Sequence, residues 1–267
     1  YNMQAKYSIS DMTHFSINAF ILDASRNAIG YRSNRVDDID SFGERDIIKS
    51  KFDNFGFETK LIHEYSFINK EIVSLFGMRL YNGNNANIQG PGSSGNDPNF
   101  DLQTSTYPNY QNQSRYSNPN VNYSIFNENI IYINDFMSLT PGLRFEYIQT
   151  DTEGFYIDIN TDNAGNVIQN NTVSTEGSRR RMFTLLGLGI SVKVNNWCEF
   201  YSNISQNYRA VTFADINIVN PSFIINPNIK DENGYTLDLG LRGNYRESIY
   251  YDLSLFNLMY NDRIAFI

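Results

Sequence analysis

The sequence has 267 residues, enough for one large domain or two, with 21 Lys and Arg against 29 Asp and Glu. The net charge of −8 argues against a phosphate-backbone partner, so nucleic acid is excluded as a target. A single cysteine, Cys198, cannot form an internal disulfide, and with only His14 and His63 beside it there is no support for a metal site or a resident cofactor. Tyr and Phe, at 19 each, favour strands over helices.

Alternation of apolar and polar residues predicts about ten strands along the chain. The alternation is clearest at 182–194, where Leu186, Leu188 and Ile190 oppose glycines and polar residues. The alternating segments, in order, are the opening residues, 13–22, 55–65, 72–81, 138–151, 182–194, 235–245 and 249–255, while 121–134 and 197–208 are apolar in both phases. No run of 18 apolar residues is present, so the sequence predicts no transmembrane helix.

The connections between these strands alternate between short and long. Short ones lie near 10–13, 68–71, 135–137, 195–196 and 245–248, and long ones at about 23–50, 82–120, 151–180 and 209–232. Several structureless connections of 20 or more residues are rare in a compact soluble domain. A transmembrane β-barrel has short periplasmic turns at one rim and long extracellular loops at the other. We therefore predict an all-β, antiparallel transmembrane β-barrel. A soluble adhesin-like β-domain stays open as an alternative, although it has no reason to sort its connections by length.

The barrel interpretation assigns each alternating residue to lipid or to a polar lumen. The residues predicted to face lipid are Leu186, Leu188, Ile190, Leu237, Leu239 and Leu241, and those predicted to face the lumen include Lys193, Asp238 and Arg242. The lumen-facing charges, among them Glu58, Lys60, Glu64, Arg79, Arg144 and Glu146, are expected to form cross-strand ion pairs. Because both ends of the chain fall inside alternating segments, we expect residues 1–267 to be part of a larger barrel.

Three stretches in chain order resemble the barrel of TonB-dependent outer-membrane receptors. "FNENIIYINDFMSLTPGLRFEYIQTD" (126–151) resembles an adjacent strand pair of that family, and "EFYSNISQNYRAVTFADI" (199–216) is similar to its segment in which a strand enters a loop. "NPNIKDENGYTLDLGLRGNYRESIYYDLSLFNLMYNDRI" (226–264) resembles the strand pair after that loop. Each motif alone is weak, but all three in order make a strong signal. Two further stretches, "ILDASRNAIGYRSN" (21–34) and "LFGMRLYNGNNANIQGPGSSGNDPNFDL" (75–102), look most like receptors of the ferric dicitrate type.

The resemblance implies a 22-strand barrel with a plugged lumen in the outer membrane of a Gram-negative bacterium. It implies import of a ferric chelate, such as ferric citrate or a siderophore, with iron carried only as cargo. Lipid, lipopolysaccharide and the TonB–ExbB–ExbD system would be the partners. The last would act through an N-terminal plug that these residues lack, as they lack the final strands. No catalytic constellation points to an enzyme. Uptake of an oligosaccharide, cobalamin or a peptide, or passive diffusion through a porin, remains an alternative.

Arginines are the strongest candidates for ligand contacts, because guanidinium groups pair with carboxylates through two donors at once. Arg26, Arg32, Arg35 and Arg45 fall in the first long connection, Arg115 in the second, Arg179–Arg181 in the third and Arg209 opens the fourth, while Arg79 leads into the second. We expect Arg26, Arg32, Arg79, Arg115 and Arg209 to converge at the extracellular opening, with Tyr31 or Tyr116 stacking on the ligand. The alternative is pairing with loop carboxylates or lipopolysaccharide phosphates.

Overall fold

The computed structural model describes residues 1–33, 37, 39–96, 99–212, 228–246 and 248–265, and these residues form a single sheet without a helix. Ten antiparallel strands follow one another in chain order across it, each paired with its neighbour in sequence. The strands are β1 Asn2–Ser10, β2 Thr13–Gly30, β3 Glu44–Phe67, β4 Lys70–Ser94, β5 Ser114–Asn134, β6 Met137–Thr161, β7 Val167–Asn195, β8 Cys198–Arg209, β9 Glu232–Tyr245 and β10 Ile249–Asn261. None of the described residues belongs to a helix suited to crossing a membrane.

The connections are sorted between the two ends of the sheet as predicted, although those at the second end are shorter than the sequence indicated. The turns at 11–12, 68–69, 135–136, 196–197 and 246–248 join strands at one rim, called the short-turn rim, and the connections 31–43, 95–113, 162–166 and 210–231 begin and end at the other, called the long-connection rim. Ile68 and Asn69 both have positive φ, 51° and 56°, as two-residue hairpin turns require. Much of the connection 210–231 lies outside the described residues, as does part of the 199–216 and 226–264 resemblance.

The strands reach much further toward the long-connection rim than the sequence predicted. The predicted connection 151–180 is almost entirely a hairpin, because β6 runs to Thr161 and β7 begins at Val167. Its five-residue turn is closed by Asp162, which accepts hydrogen bonds from the Ala164 and Asn166 amides at 2.9 and 2.8 Å. From Gln169 to Arg181 in β7 nearly every residue on both faces is polar, so the chain loses its period-two signal there while the backbone ladder continues.

Register divides the sheet cleanly into two faces. From β3 to β7, each strand pairs with the next without a register shift over most of its length. Residues directly opposite one another therefore point to the same face. One such row is Phe57, Leu80, Tyr123, Tyr147 and Met182. The next row, one residue along, is Glu58, Arg79, Ser124 and Glu146. We call these the apolar face and the polar face.

The predicted division of side chains between the two faces is confirmed. Leu188 lies opposite Ile204 and Ile204 opposite Leu237, so the leucines of β7 and β9 share the apolar face. Lys193 lies opposite Glu199 and Glu199 opposite Arg242, which places those charges on the polar face. On the apolar face Leu186 is 55% exposed and Leu188 is 45% exposed, so the sheet itself leaves this surface uncovered.

Charges on the polar face pair in two ways, only one of which was predicted. Arg242 and Glu199 form the expected cross-strand pair, at 3.0 Å. Lys60 instead pairs with Glu58 of its own strand at 2.7 Å, and Arg144 pairs with Glu146 two residues further along β6. Residues i and i+2 of a strand point to the same face, so long cationic side chains can reach along the strand as easily as across it.

Candidate functional site

A cleft opens at the long-connection rim between the connections 31–43 and 95–113. It encloses about 290 Å³ and is lined by Tyr31, Arg32, Glu44, Asn109 and Tyr110, among others. Arg32 is 48% exposed at its side chain, so about half of that side chain is accessible from the open space. Two aromatic rings and one guanidinium in a small cleft form a surface that can stack on a planar ligand and donate to its oxygens.

Asp46 of β3 holds Tyr110, one of the residues that line this cleft. Its carboxylate accepts a hydrogen bond from the Tyr110 hydroxyl at 3.0 Å and another from the Gln89 amide at 2.8 Å. The Arg32 guanidinium lies 3.9 Å away, a distance at which the attraction is only partial. Burial, together with the Asp46 charge, raises the pKa of Tyr110 well above its usual range, so this phenol stays protonated as a donor. Asp46 had no counterpart in the sequence prediction, because the stretch around it was interpreted as a loop.

Arg45 joins the two connections and is fully occupied in doing so. It is only 5% exposed, and it donates to both carboxylate oxygens of Asp40 at 2.8 Å and to the Gly95 carbonyl at 2.8 and 3.0 Å. The hydrogen bond from Arg45 lowers the pKa of Asp40, an exposed carboxyl. The Tyr31 and Phe42 rings lie 6.0 Å from the guanidinium. Arg45 therefore holds the rim together, and at 5% exposure very little of it is accessible to a ligand.

A second cluster closes the base of the connection 210–231. Arg181 donates to both oxygens of Asp231, at 2.8 and 3.0 Å, to the Thr150 hydroxyl at 2.9 Å and to the Val211 carbonyl at 2.6 Å. Asp231 also accepts from the Val211 amide at 2.7 Å and from the Tyr208 hydroxyl. Burial opposes ionisation of Asp231, but these donors outweigh it and lower its pKa. We call this cluster, which ties both ends of the connection to the wall, the Arg181 clamp.

The predicted site residues are not all brought together. Arg26 lies on the polar face within β2, opposite Ser50, and six residues along the chain separate it from Arg32. Arg79 also lies on the polar face, but within β4 opposite Glu58 and Ser124, rather than at a strand end as predicted. Arg209 pairs with Glu232 at 2.9 Å.

Arg115 and Tyr116 point to opposite faces of the sheet. Both were expected in a loop, but they are the second and third residues of β5. Tyr116 lies opposite Asn87 on the polar face, while Arg115 lies opposite Ile88 on the other face. Consecutive strand residues point in opposite directions, so these two cannot contact one ligand on one face. The expectation that Arg115 joins the others is wrong for this reason. Arg35 lies outside the described residues.

Solved structures with the same strand arrangement are large uptake receptors. The ferric yersiniabactin uptake receptor FyuA from Yersinia pestis matches with a TM-score of 0.68 at 12% identity. The ferric-catecholate import receptor Fiu from E. coli K12 matches with 0.66 at 12% identity, and the ferric citrate transporter FecA with 0.62 at 14%. Each match covers 96% of this chain and 34%, 39% and 33% of the respective receptor. At these identities the likeness establishes the fold alone, and the chain spans about a third of each receptor's length.

The family comparison is more specific than the structural one. No curated protein matches this chain. The family described as "TonB dependent receptor-like, beta-barrel" matches it over residues 1–267, which confirms the resemblance carried by the three sequence motifs. The chain therefore belongs to the TonB-dependent receptors, and its ten strands are part of their β-barrel.

Proposed function

We propose that this chain is part of an outer-membrane receptor of a Gram-negative bacterium that imports a ferric chelate by TonB-dependent transport. The observation that carries the proposal is the two-faced sheet with every long connection at one rim. The named cargoes of three solved receptors of the same fold, ferric yersiniabactin, ferric catecholates and ferric citrate, support iron as the cargo. The protein performs no covalent chemistry in this process, and iron passes through it only as part of the chelate.

Lipid is the proposed neighbour of the apolar face. Ile125, Leu143 and Leu186 of three successive strands are each half exposed, at 51%, 50% and 55%. Full burial of such a side chain contributes about 1.5–3 kcal/mol, and roughly half of that is lost while half of the side chain stays in water, so a continuous band of them needs an apolar solvent. The polar face, with its ion pairs, would then line the lumen, and the long connections would face the outside with its lipopolysaccharide.

The chelate would be received at the long-connection rim. Arg32 and Tyr31 line an open cleft there, and Arg26 lies below them on the polar face. A half-exposed guanidinium can pair with a carboxylate or a phenolate of a chelate. Ferric citrate and siderophores both offer such groups. Transport itself requires force from the inner membrane, so TonB–ExbB–ExbD would act through the plug of the complete receptor.

Uptake of radioactive iron tests the proposal. Cells that lack the receptor gene are supplied with the full-length receptor, starved of iron and given ⁵⁵Fe as citrate or as siderophore complexes, with and without a functional TonB. We expect uptake of at least one complex that requires both the receptor and TonB. Uptake that persists without TonB would identify a passive pore. The absence of uptake for every iron complex, with TonB-dependent entry of an oligosaccharide, cobalamin or a peptide, would assign another cargo.

A further inference from the structure

The upper part of the polar face is free of charge. It comprises every second residue from 50 to 54 in β3, from 83 to 87 in β4, from 116 to 120 in β5 and from 150 to 154 in β6, which lie side by side in register. Five of these residues are asparagines: Asn54, Asn85, Asn87, Asn118 and Asn120. We call this surface the amide patch. It lies above the charged row of Glu58, Arg79 and Glu146, and one uncharged row, Gly56, Tyr81, Asn122 and Ile148, lies between them.

Several polar groups of the amide patch have no partner within the described part of the chain. The side-chain oxygens of Asn54 and Asn85 and the Ser50 hydroxyl are buried there without a hydrogen bond. Only one amide of the patch is held in place, since Asn118 accepts from Thr152 at 2.8 Å and donates to the Asn85 carbonyl at 3.3 Å. A buried acceptor without a donor is unfavourable, because it has lost its hydrogen bonds to water. A ligand that brings hydroxyl or amide hydrogens would remove that cost.

An aromatic ring borders the patch at its upper edge. Tyr116 lies opposite Gly154, and a Cβ at Gly154 would be 2.7 Å from the Tyr116 ring. The ring therefore rests against the β6 backbone, which only a glycine permits. An aromatic face next to free amides suits the C–H surfaces of a ligand whose polar groups meet the amides.

The cations around the patch cannot neutralise several anionic groups. Arg144 and Arg181 are paired with Glu146 and Asp231, and Lys60 is paired with Glu58. Arg26, which adjoins the patch through Ser50, and Arg79, in the charged row below it, can compensate for about two negative charges. A chelate with several free carboxylates would lose hydration on this surface without gaining equivalent partners.

We propose that the amide patch binds the cargo, and that the cargo is a ferric chelate of low net charge whose surface consists of hydroxyl and amide groups. The inference rests on the proposed function, because it assigns the chelate's chemical class. It also departs from the sequence prediction, which favoured an anionic chelate held by converging arginines. In a neutral chelate each of three bidentate groups contributes one negative charge, which cancels the three positive charges of the ferric ion.

The test compares three probes on the purified full-length receptor: a neutral ferric trihydroxamate, ferric dicitrate and a neutral malto-oligosaccharide. Affinities are measured by calorimetry for Asn120→Leu, Asn54→Leu and the matched control Asn27→Leu, which lies on the opposite face of β2. We expect the trihydroxamate to bind more tightly than dicitrate. We expect each patch substitution to weaken it about 2- to 10-fold, the equivalent of one neutral hydrogen bond. The control should bind like the wild type.

Each contrary result separates the two proposals. Tighter binding of dicitrate, or a trihydroxamate affinity unchanged by both patch substitutions, overturns the amide-patch proposal while iron uptake stands. Binding of the oligosaccharide alone, weakened by the same substitutions, overturns iron as cargo and with it the chelate class, while the patch chemistry remains. If Asn54→Leu does not fold, Asn87→Leu replaces it, since Asn87 is exposed. Access to the patch is tested by maleimide labelling of Asn87→Cys in a Cys198→Ser background, without ligand. Complete protection of the thiol would show that another part of the receptor covers the patch and would overturn the proposal.

Discussion

Replacing Ile204 by arginine should destabilise the barrel in the membrane far more than the same replacement at its neighbour Asn203. Ile204 is 45% exposed on the apolar face, opposite Leu188 and Leu237. Asn203 lies on the polar face, opposite Gly189 and Asp238. Both belong to the same strand, so the comparison changes the direction of the new charge and almost nothing else.

The expected loss of stability depends on how deep in the membrane the substituted residue lies. Ile204 lies six residues beyond Cys198, the first residue of β8. This is about 20 Å along the strand at 3.3 Å per residue, or about 15 Å along the membrane normal for a tilt of about 40°. The apolar band of such barrels is about 25 Å tall, so Ile204 lies near its middle, where an outward arginine costs about 2–4 kcal/mol. Asn203→Arg instead lies opposite Asp238 on one side and Gly189 on the other, and should change stability by less than about 1 kcal/mol.

Urea unfolding of the full-length receptor in phospholipid vesicles measures this difference as a change in the free energy of unfolding. The folded fraction can be read from the faster migration of the unheated barrel on a gel. We expect Ile204→Arg to be the less stable variant by about 2–4 kcal/mol. Equal free energies for the two variants, or a larger loss at Asn203, would refute the assignment of the apolar face to lipid.

Three further outcomes are expected. Arg32→Ala should weaken binding of the imported chelate by about tenfold, as expected for a hydrogen bond to a charged group, whereas Arg115→Ala on the opposite face should not change it in the same calorimetric titration. Asp231→Asn should release the base of the connection 210–231, seen as faster amide hydrogen exchange there. The folded-state pKa of Asp231 is lowered, so the wild-type clamp is fully stabilising above the ordinary aspartate pKa. This contribution is lost as the pH falls through the folded-state pKa. Protection of these amides from exchange that does not change with pH would contradict this. Gly240→Ala should cost about 1–3 kcal/mol, since the added carbon would meet a tyrosine ring at 2.0 Å, while Gly30→Ala meets nothing within 4 Å and serves as its control in urea unfolding.

The strands and the sorting of their connections between the two rims could be predicted because, toward the short-turn rim, one face of the sheet is apolar. Where Leu186 and Leu188 alternate with glycines, period two is visible in the letters alone, and the register confirms it. The upper strands carry no such contrast. The stretch 82–94 is rich in asparagine and glycine on both faces, so it was predicted as a loop although it completes β4. Its backbone pairing, which the sequence does not display, determines the structure there.

The same limit explains the candidate site. Once 82–120 was interpreted as a loop, Arg115 and Tyr116 could be imagined side by side, whereas a strand separates them. The carboxylates that occupy Arg45 and Arg181 also escaped prediction. Asp231 is 50 residues from Arg181 along the chain, and only the tertiary structure brings them together. Arg32 was predicted as a ligand contact and lies at an open cleft, so its role in binding stays a prediction.

The Arg181 clamp fixes the barrel wall independently of the sequence between positions 212 and 230. Arg181 and Asp231 fix the points where the segment leaves and re-enters the sheet, with Val211 almost fully buried between them at 1% exposure. Lengthening a closed segment adds little to its closure entropy, about 0.6 kcal/mol for each doubling. This position is therefore suited to insertion: an epitope or a foreign binding loop placed between the clamped ends should leave β8 and β9 undisturbed, and the surface of the receptor could diversify there without redesign of the barrel.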